Sequence, residues 1–171
     1  MALIIRSIRS DDLPEVLAIQ ETSFLISTAG WLLRRLLAQE TAITLVAEES
    51  PGGRVLGFLV FWLRYGELRI INIATHPDFR KRGVAQALMS AALDRARLDN
   101  CTVVSLEVRS DNETAVRFYT SLGFQDRGVL YGYYAEEEAD AVVMTLDPLT
   151  THQFELNIRW QPYKSRVVLQ K

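Results

Sequence analysis

The chain has 171 residues, 49% of them hydrophobic and 23% charged, with a formal net charge of -2. That is enough for one globular domain with a proper core, and the charge balance gives no global attraction for nucleic acid. The longest apolar stretch, near Phe58 to Leu63, falls far short of a membrane span.

Met1 to Arg6 lacks a signal-peptide layout, because Arg6 interrupts a short apolar run, so a cytoplasmic protein is expected. Leu3 to Arg9 reads as a strand. Ser10-Asp11-Asp12 offers helix caps and Pro14 suits a first turn, with Leu13, Val16, Leu17 and Phe24 as apolar positions. A second helix is expected over Trp31 to Gln39. Strands follow at Ile43 to Glu48, Val55 to Arg64 and Leu68 to Thr75, and their short turns make them an antiparallel meander. Gly83 to Leu98 carries apolar residues at helical spacing, and Cys101 to Val108 returns to a strand pattern. Strand, helix and strand make a βαβ crossover, so the strands ending at Thr75 and Val108 should be parallel. Ser110-Asp111-Asn112-Glu113 reads as a capping box opening a helix that Gly123 stops. Strands near Val129 to Tyr134 and Ala141 to Leu146 complete a mixed α/β sheet.

The lone cysteine, Cys101, makes no internal disulfide and reads as an inert core thiol. His76 and His152 lie too far apart for metal-ligand spacing, so no metal is expected.

Arg80-Lys81-Arg82-Gly83-Val84-Ala85 sits where a strand gives way to a helix. The free N–H groups of a first helical turn and its positive dipole end attract anions, and a glycine lets a phosphate approach the backbone. A solvated basic loop would carry the same residues. Position decides between the two readings, since this loop opens the crossover.

The stretch from Ile73 through Arg80-Lys81-Arg82-Gly83-Val84-Ala85 to Leu88 resembles the acetyl-CoA motif of GNAT acetyltransferases, whose core is Arg/Gln-x-x-Gly-x-Gly/Ala. Leu106 to Asn112 and Phe118 to Phe124 resemble the second half of that fold, closest to its RimI branch. The resemblance covers residues 3 to 147. It implies a mostly antiparallel sheet with a splayed parallel strand pair and flanking helices. It also implies acetyl-CoA as acyl donor and, for the RimI branch, the N-terminal alanine of ribosomal protein S18 as acceptor. An N-terminal peptide of a ribosomal protein would then be the partner, with no direct nucleic-acid or membrane binding, and the chain would act as a monomer or homodimer.

Site residues follow from the same resemblance. The backbone of Ile73, Ala74 and Thr75 would pair with the pantetheine arm. The loop from Arg80 through Lys81, Arg82, Gly83, Val84, Ala85 and Gln86 would hold the diphosphate, and Asn112 would touch the cofactor further along. Glu107 matches the proton acceptor and Tyr119 the proton donor to the thiolate, while Tyr133 and Tyr134 would line the peptide groove. From the residues alone, Glu107 also reads as a strand carboxylate paired with a neighbour, and Tyr119 as a core tyrosine. Reference pKa values of about 10 for tyrosine and about 8.5 for a thiol make full proton transfer uphill by about 2 kcal/mol, so Tyr119 is expected mainly to donate a hydrogen bond. Lysine or small-molecule acceptors, and a catalytically silent acyl-CoA module, remain open alternatives.

Two regions depart from the RimI pattern. Phe24 to Trp31 replaces a Pro-Trp-like element that helps shape the acceptor site. Residues 150–171 extend beyond the domain of residues 1–149. Phe154, Leu156, Ile158 and Trp160 alternate with polar residues, which is the period of an extra strand, and a basic end follows.

Overall fold

A computed structural model describes residues 3–23, 35, 38–39, 41–135 and 138–147, and the backbone of 158–160. The chain runs β1 (Leu3–Ser7), α1 (Leu13–Ser23), β2 (Ala42–Glu48), β3 (Val55–Arg64), β4 (Glu67–Thr75), α2 (Val84–Leu98), β5 (Val103–Arg109), α3 (Glu113–Ser121), β6 (Gln125–Tyr134), β7 (Ala139–Leu146) and β8 (Ile158–Trp160). One sheet holds all eight strands in the order β6-β7-β5-β4-β3-β2-β1-β8. Its pairs are antiparallel except β4–β5 and β1–β8. The crossover through α2 thus brings β4 and β5 side by side in parallel, as the βαβ spacing requires. The helix expected over 31–39 lies largely outside the described residues, as do Phe24 to Trp31, Phe154 and Leu156.

β3 is apolar almost throughout because it is covered on both faces. Leu59 and Phe61 meet the α2 side, where Val84, Ala87, Leu88, Ala91 and Ala92 pack. Phe58 and Val60 meet Val16, Leu17 and Ile19 of α1 on the other side. Gly57 allows α2 its close seat, since a Cβ there would lie 2.8 Å from both the Ala74 carbonyl oxygen and Val84 Cγ1.

A buried ionic cluster fixes where β1, β2 and the turn into α1 meet. Arg6 donates to Asp12 through Nη1 (2.6 Å) and Nη2 (2.8 Å), and to Glu48 Oε2 through Nε (2.9 Å) and Nη2 (2.7 Å). All three residues are buried. Burial opposes ionisation of Asp12, but the hydrogen bonds from Arg6 and the Arg9 amide hold its pKa below the ordinary 3.8.

The cap of α3 differs from expectation. Asn112, not Ser110, is the N-cap, and its Oδ1 accepts from the Ala115 amide at 3.1 Å. Ser110 is drawn away because its N–H donates to the Asp140 carbonyl across from β7. Cys101 is only partly buried, and that burial pushes its thiol pKa up, away from reactive thiolate. Among the described residues no helix is long and apolar enough to cross a membrane.

Candidate active site

The site begins where β4 and β5 part. They pair only over Glu67–Arg69 with Val103–Ser105, although β4 continues to Thr75 and β5 to Arg109. Pairing with β3 skips Ile71, since Val60 faces Asn72 while Phe61 faces Ile70. An extra residue of this kind bends its strand. Among the described residues, Ile73, Ala74 and Thr75 therefore pair with β3 on one side and carry no ladder partner on the side facing β5. That is an opening with a free backbone edge, of the kind an extended ligand can pair with.

β4 leads directly into the loop expected to bind phosphate. Pro77–Phe79 form a short 3-10 turn, after which Lys81 (φ 59°) and Gly83 (φ 83°) adopt left-handed conformations. Left-handed residues so close together fold the amides of a loop inward, the geometry of an anion nest. Gly83 is the N-cap of the 15-residue α2, and a Cβ placed on it would meet nothing within 4 Å. The space over the helix end is open to a ligand. Arg80, Lys81 and Arg82 are exposed around it, while Val84 is buried and anchors the first turn. Ala85 and Gln86 are half-buried. The Arg82 guanidinium lies 5.3 Å from the Phe79 ring centroid, so this cation also braces the loop. These features fit a diphosphate.

The second half of the site is a cluster that the topology assembles from β4, β5, α3 and β6. Glu107 stands on β5, two residues past the last pairing with β4, and its side chain is 13% exposed. Arg69 Nη2 donates to Glu107 Oε1 at 2.8 Å. Burial works against the charge on Arg69, but the Glu107 carboxylate and a hydrogen bond with Tyr133 outweigh it and hold the guanidinium's pKa above its usual value.

Tyr133 reaches this cluster from an irregular stretch of β6. Between Leu130 and Tyr134 the strand loses register with β7, and Gly132 takes φ 63° while its amide donates to Asp140 Oδ1 at 2.8 Å. Such a bulge re-aims side chains. Tyr133 and Tyr134 meet edge to face with centroids 5.1 Å apart. Tyr119 on α3 is buried against Phe118 and Phe124, at centroid distances of 5.3 and 5.8 Å. Burial, and next Tyr134, push its phenol pKa well above 10.

Of the expected residues, the group holds Glu107, bonded to Arg69, the Tyr133–Tyr134 pair, and the buried Tyr119. Asn112 stands at the start of α3 with its Oδ1 engaged as helix cap. Tyr131 is 85% exposed, outside the group's contacts. Arg69 is the member that sequence reasoning did not find. Its only sequence signal is a cation between Leu68 and Ile70 in an apolar strand, and its partner is 38 residues away. Among the described residues, no group of histidine, cysteine and carboxylate side chains could hold a metal ion.

A carboxylate and a buried phenol beside a splayed strand pair, with an open basic loop at a helix end, are the parts that an acyltransferase working on a phosphate-bearing acyl donor would need. The chain belongs to the acetyltransferase (GNAT) family, which matches residues 5–124. It is an N-acetyltransferase and takes its acetyl group from acetyl-CoA. It is similar to the ribosomal protein bS18-alanine N-acetyltransferase of Escherichia coli, at 26% identity over 83% of this chain and 95% of that one. It is also similar to an N-acetyltransferase of Methanocaldococcus jannaschii, at 32% identity over 83% of this chain and 90% of that one. The crystal structure of Ard1 from Thermoplasma volcanium superposes with a TM-score of 0.77 at 33% identity, covering 86% of this chain and 98% of that one.

Proposed function

We propose that the chain acetylates the N-terminal α-amine of a peptide, specifically the N-terminal alanine of ribosomal protein S18. The observation that carries this reading is the convergence of Glu107, Tyr119, Tyr133 and Tyr134 beside the parting of β4 and β5. The E. coli relative named for that acceptor supports the particular substrate.

In this reading the amine attacks the thioester carbonyl. A C–N bond forms, the C–S bond breaks, and the amine's proton passes to Glu107, directly or through a water. The thiolate leaves against a hydrogen bond from Tyr119. The raised pKa of that phenol makes full proton transfer still less favourable than reference values suggest, so Tyr119 stabilises the leaving sulfur as a donor. The free edge of Ile73, Ala74 and Thr75 pairs with the pantetheine arm, the amides from Lys81 to Gln86 hold the diphosphate, and Asn112 borders the cofactor. Tyr133 and Tyr134 line the peptide groove.

The choice of an α-amine has a physical basis. At pH 7 about a tenth of α-amines, but fewer than about one in a thousand lysine side chains, are neutral and nucleophilic. A single carboxylate base therefore has less to do for an N-terminal acceptor. Thiol release with peptides beginning Ala, Ser, Met and Gly, against polyamines and N-terminally blocked lysine peptides, tests it. The Ala peptide should give the highest kcat/KM. Equal or faster turnover of the blocked peptide or a polyamine overturns the proposal.

A further inference from the structure

We propose that Arg69 is a positioning residue for deprotonation of the acceptor amine: its guanidinium clamps Glu107 by one carboxylate oxygen and leaves the other oxygen to meet the amine or its water. The proposal rests on the reading of Glu107 as the proton acceptor.

Three observations carry it. Arg69 occupies the last paired position of β4, opposite Ser105, so its Cα is fixed by the sheet at the point where the strands diverge. Glu107 lies two residues beyond Ser105, on the same face of β5, just inside the opening. From there Arg69 Nη2 donates to Glu107 Oε1 at 2.8 Å, joining the last paired residue of β4 to the carboxylate on β5 across the opening. A planar guanidinium holds a carboxylate in a fixed direction, which a lysine ammonium does far less well.

The bridge is poorly suited to a purely structural role. Arg69's side chain is 41% exposed, and an ion pair that open to water contributes little to folding. Its Nε is buried without a partner among the described residues, which is a cost to the fold. What the bridge does supply is orientation. Glu107 has three side-chain torsions, and a base displaced by about 1 Å can lose roughly a hundredfold in rate.

The test is steady-state kinetics of the full chain with an N-terminal alanine peptide, for Arg69→Ala, Arg69→Lys, Glu107→Gln and the double variant Glu107→Gln/Arg69→Ala. Thermal melting is measured alongside. Arg69→Ala should lower kcat roughly tenfold to a hundredfold. Its KM for acetyl-CoA should stay within about twofold of the parent, its melting temperature should be unchanged, and guanidine at millimolar levels should restore part of the loss. Arg69→Lys should fall between the two. In the Glu107→Gln background, removing Arg69 should change kcat by less than about twofold, because the residue acts through the carboxylate.

A parent-like kcat for Arg69→Ala, with Glu107→Gln impaired, overturns this inference and leaves the base assignment standing. A full Arg69→Ala loss on top of Glu107→Gln overturns it too, since Arg69 would then act on something else. A parent-like kcat for Glu107→Gln removes the base assignment itself, and this inference with it.

Discussion

Gly83→Ala separates the strain of the cofactor loop from its function. Gly83 sits at φ 83°, where an L-residue is strained by roughly 1–2 kcal/mol. The added Cβ meets no protein atom within 4 Å, so no clash adds to that strain. For a domain of this size the melting temperature should fall by about 2–8 °C. The Cβ does enter the open space over the end of α2, where the diphosphate is proposed to lie, so acetyl-CoA should bind about tenfold more weakly or worse. At a ligand concentration of about 100 times the parent Kd, acetyl-CoA stabilises the parent by about 2.7 kcal/mol. A tenfold weaker variant at the same concentration gains only about 1.4 kcal/mol, roughly half the thermal shift. Differential scanning fluorimetry with and without acetyl-CoA reads both numbers. A variant that melts lower but keeps the full ligand-induced shift would refute the placement of the diphosphate at Gly83.

The buried ionic cluster and the buried phenol give further expected outcomes. Arg6→Ala leaves Asp12 and Glu48 buried without their counter-charge and should destabilise the fold by about 3–5 kcal/mol, on the order of 10 °C in melting temperature. Because folding lowers the pKa of Asp12, its share of stability is fully present above the ordinary 3.8 and is lost as pH falls from there through the lowered folded value. Urea midpoints measured between pH 6 and pH 3 should show that loss in the parent, and a flat parent profile would contradict it. Tyr119→Phe keeps the buried ring and should melt close to the parent while kcat drops. Since folding raises this phenol above 10, it stays protonated across the neutral range, and the parent's pH–rate profile should show no alkaline decline from it below pH 10.

Much of the fold was legible because it depends on local periodicity. The apolar run of β3 and the helical spacing of Val84, Leu88, Ala91 and Ala92 each specify one element. The parallel pairing of β4 and β5 then follows from chain connectivity. The proposed roles of Glu107 and Tyr119 come only from motif resemblance, since neither strand alternation nor helical period separates a base or donor from a surface carboxylate or core ring. Arg69 was not legible, because its meaning arises from a pairing across two strands 38 residues apart. The same holds for the pairing of Arg6 with Glu48, which arises only where β1 and β2 lie side by side. The shift of the α3 cap from Ser110 to Asn112 has a similar origin, in a hydrogen bond that the Ser110 amide donates to the distant Asp140 carbonyl.

Acetyl is proposed to pass from acetyl-CoA to a peptide α-amine at the opening between β4 and β5. Incubating the chain with acetyl-CoA and ribosomal protein S18 bearing a free N-terminal alanine, then mapping the acetyl group by tandem mass spectrometry, tests it most directly. The expected product is a single acetyl group on the α-nitrogen of that alanine, formed at a rate that falls sharply with Glu107→Gln. Acetyl found on lysine side chains instead, or no enzyme-dependent transfer to S18, would contradict it.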